Sequence, residues 1–232
     1  MRMWTVVSRR PVRGGLFSAA VAGALLLGAT GCGGGGDEGE DGVPDDYKIV
    51  AGTQLCGGNA VSADAAKALK VITGSSRFEA SSEEYSVEQA ATDLAAMFNA
   101  PHHSGDICRI YTPLGTSEFD LRVTWRQVDP DTTGSPASKF TVLKMGERAL
   151  TAADEASIQF GCRSDKVAGA SAVGHLEVGV EHWATPTEPE GDVGALKDAY
   201  ATVAHSFALA MAKELGCANN AGLPAKPVLD PA

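Results

Sequence analysis

Phe119-Asp-Leu-Arg-Val-Thr-Trp-Arg-Gln-Val128 alternates strictly from its first residue to Arg126: Phe119, Leu121, Val123 and Trp125 fall on one side, Asp120, Arg122, Thr124 and Arg126 on the other. Successive side chains of a strand point to opposite faces, so this stretch reads as a strand with one face buried and one wet. That pattern belongs to an antiparallel sheet, because a parallel strand is covered on both faces and reads as a continuous apolar run.

Working outward, Ile107 to Thr112 makes a hairpin partner on the N-terminal side. On the C-terminal side Phe140 to Met145, Ile158 to Cys162 and His175 to Trp183 also read as strands, the last with Leu176, Val178 and Val180 inward. Glu177 and Glu181 then lie outward, where Arg122 and Arg126 oppose them if the two strands pair. Three helices complete the pattern. Ser62 caps one whose apolar side is Ala65, Leu69 and Ile72 and which stops at Gly74. Ser86 and Gln89 form a capping box for the second, with Val87, Ala91, Leu94 and Phe98 on one side and Pro101 closing it. Asp192 caps the third, whose buried stripe is Leu196, Tyr200, Val203, Phe207, Met211 and Leu215, with Gly216 at C′. The expected fold class is α+β: a mostly antiparallel sheet of about five strands with about three helices packed on it.

Cys56, Cys108, Cys162 and Cys217 are distributed two to each half of this region, the halves meeting at the turn-rich stretch Asp129 to Ser138. An even set of thiols in an exported domain reads as two disulfides, and four cysteines allow three pairings. Cys162 shares the inward parity of Ile158 and Phe160, where the last helix packs, and Cys217 lies just past that helix. Cys56–Cys108 and Cys162–Cys217 is therefore the favoured pairing. Each bridge closes a loop of about 50 residues and stabilises by roughly 3 to 4 kcal/mol in the chain-entropy model.

The ends of the chain carry a different message. Arg2, Arg9, Arg10 and Arg13, with no acid among them, precede an apolar run from Leu16 to Leu27. That run is too short to span a hydrocarbon core, which takes about 20 residues, and reads as an export signal. It ends in Ala29-Thr30-Gly31-Cys32, which resembles the lipobox of bacterial lipoproteins, with Ala29 where leucine is usual. The resemblance implies cleavage before Cys32, acylation of its thiol with palmitate-type chains, and a protein held on the outer side of the cell membrane. Ser8-Arg9-Arg10 also resembles part of a twin-arginine motif, so Sec and twin-arginine export both stay open. Gly33 to Asp46 holds six glycines and six acids in 14 residues and reads as a flexible, self-repelling tether. Residues 218–232, with Pro224, Pro227 and Pro231, read as a disordered tail. The expected organisation is a signal peptide over 1–31, lipidated Cys32 and tether over 32–46, one extracytoplasmic domain over 47–217, and the tail. The layout of the body resembles small lipoproteins of unknown function from actinobacterial-type, high-GC Gram-positive bacteria, which implies little about activity.

With 19 basic against 29 acidic residues and a net charge of −10, the chain is excluded from nucleic-acid binding through a basic surface. No nucleophile elbow, P-loop, dinucleotide fingerprint or CxxC pair occurs, and no cofactor is implied. The expected function is an envelope binding or interaction module, with the bilayer as one partner through Cys32 and an envelope protein or small ligand as another. The alternative is a metal-assisted hydrolase built on His102, His103 and Asp106, with His175 or His182 as a further ligand. His182 is the histidine with inward parity. His205 falls with Asp198 and Thr202 and reads as solvated.

Overall fold

A computed structural model describes residues 47–98, 103–130, 134–167, 172–183 and 189–232. The alternating stretch forms β4 (Asp120–Gln127), second in a six-stranded antiparallel sheet. Its neighbours are β3 (Ser104–Tyr111) and β8 (Gly174–His182), followed in order by β7 (Glu155–Cys162), β6 (Arg148–Thr151) and β5 (Thr141–Leu143). A separate two-stranded sheet pairs β1 (Ile49–Ala51) with β2 (Arg77–Glu79). The α+β class holds, but the main sheet has six strands where about five were expected. The added strand, β6, is four residues long, too short to declare a period of two in the sequence.

Leu121, Val123 and Trp125 of β4 are buried, and across the β4–β8 register Val123 faces Val180 and Trp125 faces Val178. Two helices cover that face, and a third packs on one of them. α1 (Ala63–Thr73) and α2 (Val87–Met97) start where their caps predict, Ser62 Oγ accepting from the Ala65 N–H and Ser86 Oγ from the Gln89 N–H. Only half of the expected capping box forms, since the Gln89 side chain donates onward to Asp93. α3 (Val193–Glu214) crosses β6, β7 and β8 and packs against α1. Its buried alanines, Ala199, Ala201, Ala204, Ala208 and Ala212, keep its surface thin enough for close approach on more than one side. Buried Ser206 latches the two helices, accepting from the Ser62 N–H at 2.9 Å and donating to the Ala60 carbonyl at 2.7 Å.

Both favoured disulfides are present. Cys162–Cys217 ties the end of β7 to the chain just beyond α3, and Cys56–Cys108 ties the segment after β1 to β3. A bulge between Asp106 and Cys108 makes the second geometry work. In an unbroken strand residues three apart lie on opposite faces, whereas the extra residue places Asp106 and Arg109 together, bonded at 3.0 Å, while Ile107 and Cys108 are both buried.

The C-terminal segment departs from expectation. Residues 218–232 are not a frayed tail: after a short 3-10 turn at Ala218–Gly222, Leu223 is buried and Val228 and Leu229 pack against the core. The Val228 N–H donates to Met145 Sδ, and at the far end Pro231 bridges to Leu143 while the Ala232 N–H donates to the Val142 carbonyl. The three prolines keep this strap out of helix and ladder, so it has no period to read, yet an irregular chain can still place isolated apolar side chains. The strap also closes the outer edge of β5, an edge that otherwise offers unpaired backbone groups.

His205 is corrected with it. It is 3 % exposed, and its Nε2 bonds the Pro224 carbonyl at 2.9 Å. The sequence assigned it to the wet side of α3 because the strap that covers that side has no periodic signature. Burial pushes the imidazole below its ordinary value, opposed by the Pro224 carbonyl and aided by Lys213. The folded state thus binds its proton later than the unfolded chain, whose histidine titrates near 6.5. The stability held by neutral His205 is present above that pH and is lost as pH falls through the lower folded value. We expect the urea midpoint to fall between about pH 7.5 and pH 5, and to fall less in His205→Gln, which keeps a donor without a titrating ring. Equal slopes in the two proteins would contradict this.

Candidate functional site

The end of β8, the β3–β4 hairpin and two helices meet around a cleft of about 470 Å³. The hairpin is fixed by Thr112, whose hydroxyl donates to the Ser117 carbonyl and accepts from the Phe119 N–H. This presents the Phe119 ring to His182, the two rings stacking at 4.2 Å between centroids and 14° between planes. His182 is itself tied down: its backbone N–H donates to the Asp154 carbonyl, and that of Trp183 donates to the Asp120 carbonyl. The opposite wall comes from the last turn of α1, Val71 to Gly74, which stops because Gly74 takes the left-handed conformation at φ 73°. Leu196 and Tyr200 of α3 close the base.

Three of its seven polar side chains are carboxylates. Glu118, Asp154 and Glu190 line the cleft, and Lys139 bonds to Asp154 at 3.1 Å and to Glu155. Tyr200 is 2 % exposed, yet its hydroxyl has no hydrogen-bond partner among the described residues. Burial first, then the Asp154 and Glu155 carboxylates, push its phenol upward, so it stays protonated. Beside the cleft, Asp120 keeps one buried carboxylate oxygen without a partner among the described residues. Burial raises its carboxyl, against the lowering influence of Arg109 and His182.

The outer face of the sheet carries the charge pairs the sequence suggested, with one rearrangement. Arg126 bonds Glu177 at 2.5 Å, and the buried Glu177 also accepts from Gln159 at 2.7 Å. Arg122 lies opposite Glu181 in register but bonds Asp106 at 2.7 Å, with its guanidinium 4.3 Å above the Trp183 ring.

Asp106 therefore engages both carboxylate oxygens, one with Arg109 and one with Arg122. His102 lies outside the described residues, and among those described no group of three or more His, Cys, Asp or Glu is placed to hold a metal ion. His175 bonds Glu147 at 2.9 Å, on a different strand end from His182. Cys32 and the segments around it also lie outside the described residues. No helix among the described residues is long and apolar enough to cross a membrane.

Of the residues singled out in the sequence, the structure brings His182, Phe119 and Tyr200 into one cleft. It adds Asp154 and Glu118, whose turn positions gave no periodic signal. No protein-family model, no curated protein and no solved structure matches the chain.

Proposed function

We propose that the chain is an extracytoplasmic lipoprotein, acylated at Cys32, whose folded domain is a binding module that takes a small ligand in the Phe119–His182 cleft. The observation that carries the binding reading is the cleft itself. It has a stacked aromatic pair, three lining carboxylates and a phenol hydroxyl with no hydrogen-bond partner among the described residues. Concave, partly apolar sites with a few convergent polar groups are where small ligands bind. Two disulfides support a life outside the reducing cytoplasm. The basic, apolar and small-residue sequence ending at Cys32 supports a lipid anchor, and two or three acyl chains suffice for stable attachment.

The anchor has a direct test. In cells making the full chain, Cys32→Ala is expected to move the protein from the membrane fraction to the soluble one and to abolish the acyl mass. A variant that stays membrane-bound with only the mass of the substitution changed would refute the lipid anchor.

A further inference from the structure

Resting on the cleft as the ligand site, we propose that it selects a small organic ammonium ion, seated between the carboxylates of Glu118, Asp154 and Glu190 and the aromatic walls of Phe119 and Tyr200. Three observations converge on a cation. The lining carries three carboxylates, and the lysine beside it, Lys139, is already bonded to Asp154 and Glu155. An ammonium therefore enters a cleft of net negative charge, and the protein itself already seats one ammonium at Asp154. The last turn of α1 forms one wall, so the negative end of that helix dipole lies beside the same space. Finally, the hydroxyl of 98 %-buried Tyr200 is unpartnered among the described residues and lines the cleft. It can accept a hydrogen bond from an N–H donor, and the face of Phe119 turned away from His182 can attract a cation electrostatically.

An anionic ligand would meet the opposite of each of these terms. A neutral one would gain the apolar walls and lose the charge. The apolar lining, Val71, Ile72 and Leu196, calls for a hydrocarbon body on the ammonium rather than a bare ion.

The probes are benzylammonium, its neutral counterpart benzyl alcohol and its anionic counterpart benzoate. They are titrated into the full chain in detergent and followed by amide chemical shifts of Phe119, Asp154, His182 and Tyr200. Benzylammonium is expected to bind about tenfold or more tighter than benzyl alcohol, a difference of about 1.4 kcal/mol. Raising salt should narrow that gap, because the rim carboxylates are screened. Glu118→Gln with Glu190→Gln, two exposed positions, should remove most of the preference without unfolding the domain. Tyr200→Phe should weaken benzylammonium severalfold. Equal affinity for benzylammonium and benzyl alcohol would overturn the cation proposal and leave the cleft as a ligand site. Tighter binding of benzoate would overturn it outright, and no cleft shifts with any probe would remove the ligand site as well.

Discussion

Replacing Cys162 and Cys217 together by alanine is expected to lower the unfolding free energy by about 4 kcal/mol. The bridge spans 55 residues of sequence, and removing a cross-link of that size returns loop entropy of about this magnitude to the unfolded chain. Set against a typical domain stability of about 5 to 15 kcal/mol, that is a large fraction. Native contacts suffer too. Cys162 is fully buried and Cys217 nearly so, and the bridge fixes the point where α3 hands over to the strap, with the Ala218 N–H donating to the Arg163 carbonyl. The Cys56–Cys108 bridge spans a similar 52 residues, so the entropic part of its removal should be nearly equal. Urea denaturation of the non-reduced proteins reads the difference, and a midpoint shift equivalent to less than about 1 kcal/mol would contradict the entropic account.

Truncation after Cys217 is expected to cost about 3 kcal/mol and to make the protein self-associate. Burying a leucine side chain contributes about 2 kcal/mol, which Leu223 supplies, and partly buried Val228 and Leu229 add to it. The cut also strips the cover from His205 and removes the Pro231 and Ala232 contacts with β5. A bared strand edge is a template for pairing with another copy. Size-exclusion chromatography should show dimers or larger species in the truncated chain and a monomer in the parent. An unchanged urea midpoint and a monomeric truncated chain would mean that the strap contributes nothing.

These two expectations mark where the sequence was readable and where it was not. β4, β8 and α3 carry long regular patterns, so their core-facing sides could be assigned from period alone, and the parity of Cys162 led to its partner. The Arg126–Glu177 pair followed from strand parity and was found. Arg122 was not so simple, because the bulge in β3 brings Asp106 within reach, and a one-residue insertion in a ladder leaves no trace in alternation. β1 and β2, three residues each, were below the length at which period can be recognised. The prolines of the strap mark only the absence of regular hydrogen bonding, so its apolar contacts leave no period in the sequence, and neither does the cover it gives His205.

The cleft shows the same division. His182 stood out by parity and Tyr200 by its place in the α3 stripe. That the two share a cavity with Asp154 depends on how the β6–β7 turn meets the end of β8, a tertiary fact. The metal reading failed to gather support for a related reason. His103 and Asp106 are close in sequence, but the bulge and the β3–β4 register hand the Asp106 carboxylate to two arginines.

Export, lipid anchoring and disulfide stapling of the domain are read together in the intact mass of the protein recovered from membranes without reductant. The expected mass is that of residues 32–232 plus a diacylglyceryl group and its acyl chains, less four hydrogens for the bridges Cys56–Cys108 and Cys162–Cys217. An unprocessed chain with no acyl mass and its thiols free would contradict it.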